Sequence, residues 1–214
     1  MLKHPLLAWS GGNEGVTAAV HASPWIIDVG YNQQPGSYAR DRSRRAPHNL
    51  YVTADELWSK APAGLPFPAP LFKYRKAGEE NTSIAREAQG VDISWGSRSV
   101  APVSWRWDPK NRVYLRTQRG RAHLDSSGTP LSAKNVVVMV LDYSMNGNSP
   151  VGHTVGGGEA FLYTNGRVVH GSWTRPDIGG RATFLDDNGQ PLKLSPGQTW
   201  IEMPPSGATT TINF

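Results

Sequence analysis

The spacing of apolar residues changes character once along the chain. Near the start PLLAW (5–9) is a short apolar run, SGGN (10–13) interrupts it, and in EGVTAAVHA (14–22) Val16, Ala19 and Val20 recur at helical spacing. WIIDVG (25–30) is again a compact apolar run of strand length. Strand, turn, helix and strand in that order predict a β-α-β element with parallel pairing. Ser10 or Asn13 is placed to cap the helix, and Glu14 lies near its positive end.

Residues 31–49 are polar and read as a long surface loop. Thr53 ahead of Asp55, Glu56, Leu57 and Trp58 reads as a capped short helix. APAGLPFPAP (61–70) holds Pro62, Pro66, Pro68 and Pro70, which excludes regular structure and makes it the linker candidate. Residues 77–90 are again polar.

Beyond residue 90 the period becomes two. In VSWRWD (103–108) Val103, Trp105 and Trp107 alternate with Ser104, Arg106 and Asp108, the pattern of a half-buried strand. Asp108-Pro109-Lys110-Asn111 is a turn, and RVYLR (112–116) returns. NVVVMVL (135–141) is continuous and β-branched, as a strand buried on both faces requires. Asn165-Gly166 separates two apolar runs and tolerates the positive φ of a two-residue hairpin turn. Asp187-Asn188-Gly189 repeats that signal between TFL and PLKL, GHTVGGGEA (152–160) reads as a bulged entry to the first hairpin, and TWIEM (199–203) reads as the last strand. No repeat of fixed period is present. The fold class is therefore mixed α/β, or α+β: a partial α/β domain over 1–90, then a mainly antiparallel β domain over 91–214.

Composition narrows this further. With 38% hydrophobic and 18% charged residues the chain is globular rather than disordered. The net charge of +5 supports attraction to anionic surfaces but does not alone argue for nucleic acid. The absence of cysteine excludes disulfides, thiol catalysis and cysteine-ligated zinc. No apolar run is long enough to span a bilayer, and MLKHPLLAW is interrupted too early to be a secretory signal.

Two stretches carry candidate chemistry in the first part. RDRSRRAPHNLYV (40–52) sets Arg40, Arg42, Arg44 and Arg45 around Asp41, followed by His48 and Asn49. Arginine supplies bidentate donors to carboxylate or phosphate, and His48 exchanges a proton near neutral pH. The alternative is a solvated loop with Asp41 paired to a neighbouring arginine. SGGN lies where a strand gives way to a helix, so the amides of Gly11 and Gly12 could approach a ligand closely; a structural turn is the competing reading. It matches neither the dinucleotide fingerprint nor the P-loop, and Ser10 is not in a nucleophile elbow. Ser10, His48 and Asp41 can be drawn as a catalytic set, but only geometry could give that meaning. Metal-ligand spacing such as H-E-x-x-H is absent, so neither metal nor cofactor is expected.

In the second part, residues 98–121 hold Arg98, Arg106, Lys110, Arg112, Arg116, Arg119 and Arg121 against Asp108, interleaved with Trp105, Trp107 and Tyr114. Basic strands with aromatics can hold single-stranded nucleic acid. The alternation favours tryptophans in the core and arginines on the wet face of a hairpin, with an anionic envelope polymer as a softer partner.

Taken in order, AWSGGN, RRAPHNLYV, VSWRWD with VYLR, KNVVVMV, GGGEAFLYTNGRVVHGSWTR and FLDDNGQPLKLSPGQTWIEM resemble the YerB-like family of bacterial proteins described as lipoproteins, from Leu7 to Pro205. The resemblance implies an α/β domain followed by a smaller domain of strands, in an extracytoplasmic, envelope-associated protein. The family is a domain of unknown function, so it transfers no catalytic residue; Ser10, Gly11, Gly12, Asn13, Pro47, His48, Asn49 and Tyr51 are motif positions only. Family members carry a longer segment ahead of S-G-G. The present start therefore suggests a fragment, a processed product or a chain whose first sheet is completed by a second chain.

The leading expectation is a ligand- or partner-binding scaffold module of the envelope. Its site would use Gly11, Gly12, Asn13, Arg42, His48, Asn49 and Tyr51 to hold an anionic small ligand or an envelope polymer. A hydrolase acting on an envelope polymer, with His48 as base assisted by Asp41 or Ser10, is the alternative. Nucleic acid, bound by residues 98–121, is disfavoured.

Overall fold

The computed structural model describes residues 4–66, 70–76, 78–79, 84–96, 101–147 and 149–214. The chain divides into two compact units, Met1–Pro70 and Leu71–Phe214.

The first unit contains β1 (Leu6–Leu7), α1 (Glu14–His21), β2 (Ile27–Asp28), β3 (Ala39–Arg40), β4 (Leu50–Tyr51) and α2 (Ala54–Trp58). β1 and β2 pair in parallel, Leu6 with Ile27 and Leu7 with Asp28. Backbone bonds from Ile27 N to Pro5 O and from Tyr31 N to Trp9 O continue the pairing at either end. Asn13, not Ser10, caps α1: its Oδ1 accepts from Val16 N at 2.9 Å. Thr53 caps α2 in the same way, accepting from Glu56 N at 3.2 Å. One parallel pair of two-residue strands is as far as an α/β sheet goes here among the described residues. The stretch expected to be a plain loop over 31–49 instead contains β3, which pairs antiparallel with β4 through Ala39–Tyr51 and Arg40–Leu50.

The second unit is built from strands. They are β5 (Lys73–Tyr74), β6 (Arg86–Glu87), β7 (Gly90–Ser94), β8 (Val103–Asp108), β9 (Val113–Gln118), β10 (Arg121–Ala122), β11 (Ser132–Ala133), β12 (Asn135–Met139), β13 (Tyr143–Asn146) and β14 (Ser149–Gly152). β15 (Gly156–Thr164), β16 (Arg167–Arg175), β17 (Thr183–Asp186), β18 (Lys193–Leu194), β19 (Thr199–Glu202) and β20 (Thr209–Asn213) complete it. One sheet runs β10-β9-β8-β7-β20, with β11 also on β9. The other runs β17-β16-β15-β12-β19, with β6 also on β16. Pairing is mainly antiparallel; β12 with β19 and β18 with β5 are parallel. Because β5 pairs with β18 and β6 with β16, the strands from Lys73 onward belong to this unit.

The two sheets enclose one core, formed by Val91, Ile93, Trp105 and Tyr114 from one and Val136, Val138, Tyr163 and Val168 from the other. The opposite face of the second sheet buries Val137, Met139, Leu162, Val169 and Trp173 in a second core. β12 is thus buried on both faces, as its unbroken run of apolar residues requires. At the β15–β16 turn Asn165 has φ +53° and Gly166 φ +72°, the two positive values that a tight hairpin needs. TWIEM is not the last strand: β20, from the threonine-rich TTTIN, pairs antiparallel with β7. GHTVGGGEA enters β15 as paired strand from Gly156 onward.

Arg116 departs most from the two-residue pattern. It lies opposite Trp105 across β8 and β9, and so faces the core rather than water. Its Nε donates to Glu202 Oε1 at 3.1 Å, with only 8% and 6% of the two side chains exposed. Trp105 Nε1 donates to the same oxygen at 3.0 Å. The guanidinium carbon lies 5.0 Å from the centroid of the Trp200 ring, and Arg116 Nη1 donates to His123 Nδ1 at 2.6 Å. Removing one member of such a pair leaves a buried charge without its counterion. Arg116→Met should therefore lower stability by about 3–5 kcal/mol, and the double variant R116M/E202L should recover most of the loss. Urea unfolding followed by tryptophan fluorescence measures both; a single-variant loss below about 1 kcal/mol would show that the pair does not join the sheets.

Candidate functional site

The site in the second unit starts from one amide. Asn135, the first residue of β12, has no solvent exposure. Its Nδ2 donates to Ser195 O at 2.9 Å and Thr199 Oγ1 at 3.1 Å. Its Oδ1 accepts from Thr164 Oγ1 at 2.7 Å and Ser195 N at 2.9 Å. Both amide hydrogens and the carbonyl oxygen are used, so the ends of β12, β15, β18 and β19 are held together without an unsatisfied group.

On this floor stands a cleft of about 440 Å3 lined by Arg75, Lys76, Glu79, Trp107, Arg112 and Lys134. Arg75 reaches the floor by donating to Ser195 Oγ. Arg112 Nη2 donates to Asn165 Oδ1 at 2.7 Å, and Lys134 Nζ to Arg112 O at 2.9 Å. Hydrogen bonds thus position these cations. Among the described residues no carboxylate pairs with Lys76, Arg112 or Lys134. Glu79 is the one acid of the described lining. Its carboxylate takes a hydrogen bond from Lys193 and another from Lys76 N at 2.8 Å, and these, the Lys193 bond foremost, hold its pKa below the usual carboxylate range. It stays ionised and is neutralised by Lys193. The cleft is therefore a rigid, electropositive, hydrogen-bonding concavity.

A second constellation lies on β15 and β16. His170 Nδ1 contacts both oxygens of Asp187 at 2.8 and 2.9 Å, and Nε2 contacts Glu159 Oε1 at 3.0 Å. Carboxylates on opposite ring nitrogens stabilise an imidazolium; they do not chelate one ion. Among the described residues no group of His, Asp and Glu is arranged to hold a metal. Partial burial works to lower the His170 pKa, and the bonds to Asp187 and then Glu159 outweigh it, leaving the value raised.

In the first unit the charged run closes on itself. Asp41 accepts from Ser43 N at 2.9 Å and Ser43 Oγ at 2.6 Å, and Arg44 Nε lies 3.5 Å from its carboxylate. The Ser43 side chain is the main reason its pKa is lowered. Asn49 is buried and acts as a brace: Nδ2 donates to Asp41 O and Arg44 O at 3.1 and 3.2 Å, and Oδ1 accepts from Arg40 Nη1 at 2.9 Å. Arg44 stacks 6.0 Å from the Tyr51 ring centroid. Arg42 and His48 are exposed, as are Ser10, Gly11, Gly12 and Asn13. Gly11 has φ +125°, which favours glycine. Among the described residues no hydrogen bond, ion pair or ring contact joins Ser10–Asn13 to Asp41–Tyr51, and none joins His48 to Asp41. Asp41, Asn49 and Tyr51 are thus brought together through Arg40 and Arg44, while Ser10, Gly11, Gly12, Asn13, Arg42 and His48 are not tied to them. Of the basic strip, Arg98 lies outside the described residues. Arg116 is buried, contrary to its placement on a wet face, because its charge is needed opposite Glu202. Arg106 is paired bidentately with Asp92 at 2.7 and 2.8 Å.

A family model described as "Protein of unknown function (DUF3048) C-terminal domain" matches residues 91–201. The chain belongs to the DUF3048 family. No curated protein matches it. Among solved structures it is similar to the YerB protein from Bacillus subtilis, with TM-score 0.78 and 20% identity over 96% of this chain and 70% of that one. At that identity the likeness concerns the fold. Within this DUF3048 chain the matched span includes Trp107, Arg112, Lys134, Asn165 and Ser195, so most of the cleft lies in the family's C-terminal domain, with Arg75 and Lys76 added from before it. Sequence reasoning noted Arg112 and Trp107 only as parts of a strip and Asn165 only as a turn. KYRK (73–76), a basic cluster beside the proline-rich stretch, was the available signal for the other wall.

A histidine whose pKa is higher folded than unfolded adds stability that is complete below its unfolded value, near the ordinary 6.5, and is lost as pH rises through the folded value. Thermal melts from about pH 6 upward should show Tm falling across that window, and Asp187→Asn should flatten the fall by removing the stronger partner. NMR titration of His170 supplies the check, since D187N must lower its midpoint.

Proposed function

We propose that this chain is an extracytoplasmic, envelope-associated binding module that holds an anionic ligand in the cleft of its second unit. One observation carries the reading. Lys76, Arg112 and Lys134 converge on one concavity whose described lining contains a single acid, Glu79, already neutralised by Lys193. Cations lining one hollow raise its positive potential, and an anion bound among them gains charge-assisted hydrogen bonds. The floor of Asn135, Thr164 and Ser195 keeps the donors in place before a ligand arrives, which limits the ordering cost of binding. The resemblance to YerB-like proteins supports the envelope location. The division into a partial α/β part and a β part belongs to the same proposal, with the boundary moved from residue 90 to Pro70–Leu71, so that Arg75 and Lys76 fall in the part that binds. This reading assigns binding to the cleft rather than to the loops bearing Gly11 and His48.

Isothermal titration with inorganic phosphate and with short polygalacturonate tests it. Wild-type protein should bind both, more weakly at about 200 mM salt than at about 50 mM, because the attraction is electrostatic. Replacing Lys76, Arg112 and Lys134 together by glutamine should cost at least about tenfold in affinity, equivalent to about 1.4 kcal/mol. Unchanged binding by the triple variant would overturn the assignment.

A further inference from the structure

The cleft does not end at Trp107. A second hollow of about 470 Å3 lies on the other side and shares Trp107 and Asn165 with the first; Glu87, Gln89 and Arg167 are in its lining. Resting on the anion-binding reading above, we propose that the ligand is a polymer: an anionic glycan lying across both hollows, with its acidic groups among the cations of the first, one sugar ring against Trp107 and a further ring over the second.

Three observations converge on this. First, the hollows differ in charge: Lys76, Arg112 and Lys134 line the first, and Arg167 with Glu87 the second. Arg167 carries no ion pair among the described residues, and its Nε is buried without a hydrogen-bond partner. Arg167 and Glu87 face each other in register across β16 and β6, so this hollow sets a donor beside an acceptor, as the hydroxyls of a sugar ring require. Second, the wall between the hollows is aromatic and fixed. The Trp107 ring lies 5.0 Å from that of Tyr114, and a side chain at position 166 would come within 2.8 Å of Trp107 Nε1, so Gly166 lets the indole approach the turn closely. An indole held in this way offers a platform for the apolar face of a ring. Third, neutral polar groups accompany the charges, with Ser195 and Asn165 in one hollow and Gln89 and Asn165 in the other. That mixture suits a polyhydroxylated chain. A single-stranded nucleic acid would instead need several aromatic faces in succession, and Trp107 is the one aromatic in the described lining of either hollow.

Length dependence of binding decides the point. Galacturonate oligomers of one, two, four and six units should bind wild-type protein with affinity rising at least about tenfold between one and four units and levelling off once both hollows are filled. Arg167→Gln should lower affinity for the tetramer at least fivefold, and Trp107→Ala should flatten the length dependence. If Trp107→Ala fails to fold, as judged by circular dichroism, Arg167→Gln alone carries the test. Equal affinity for monomer and tetramer would overturn the polymer while leaving the anion site standing. Binding of neither would overturn both readings, and tighter binding of a thymidine oligonucleotide than of the tetramer would replace the glycan with nucleic acid.

Discussion

Asn135 is the point at which core and site become one structure. It opens a strand whose next residues alternate between two hydrophobic cores, Val136 and Val138 into one and Val137 and Met139 into the other. A strand fixed on both faces cannot shift register without exposing apolar side chains, so the position of Asn135 along the sheet is set by packing. Its amide passes that rigidity to Ser195, Thr199 and Thr164, and through Ser195 to Arg75. Arg75 and the segment bearing Lys76 are therefore tied to the most deeply buried element of the unit rather than to a loose surface loop.

The distribution of arginine follows from where counterions are. Arg116 is inside because Glu202 on β19 is inside, and the pair joins the two sheets together with the bond from Trp105 to the same carboxylate. Arg106 spends its charge on Asp92 at the surface. Arg112 pairs with no acid among the described residues and is held by Asn165, at the edge of the cleft. Three basic residues from one hairpin thus end in three environments. A sequence-averaged picture of a basic strip does not describe the surface that a ligand meets.

What could be read from the sequence was local. Asn13 and Thr53 cap helices because capping is settled within three residues, and Asn165-Gly166 turns a hairpin because the demand on φ is settled within two. NVVVM announced its double burial through composition alone. The burial of Arg116 was hidden because its partner lies 86 residues away, and alternation along β9 offered Val113 and Leu115 as the inward set instead of Tyr114 and Arg116. The cleft was hidden for the same reason: the Arg75–Ser195 bond spans 120 residues. In the first unit the arginine-rich run was legible as charge. Its actual organisation, a hairpin loop braced by buried Asn49, depends on one side chain satisfying two backbone carbonyls, which no spacing rule reveals.

The titratable groups Glu79 and His170 are each held toward one protonation state by their hydrogen-bond partners. A general acid at neutral pH needs a carboxyl whose pKa is raised by burial or by a neighbouring carboxylate. Glu79 is shifted the other way, through its bonds to Lys193 and the Lys76 amide, so it holds the wall in place and leaves its proton in solvent. The imidazole–carboxylate geometry that could move a proton is found at His170, whose two nitrogens are both committed to carboxylates. With Glu79 bonded to Lys193 and the hydroxyls of Thr164 and Ser195 engaged with Asn135 and one another, the cleft presents positive charge and an aromatic wall, the features on which the proposed anion binding rests.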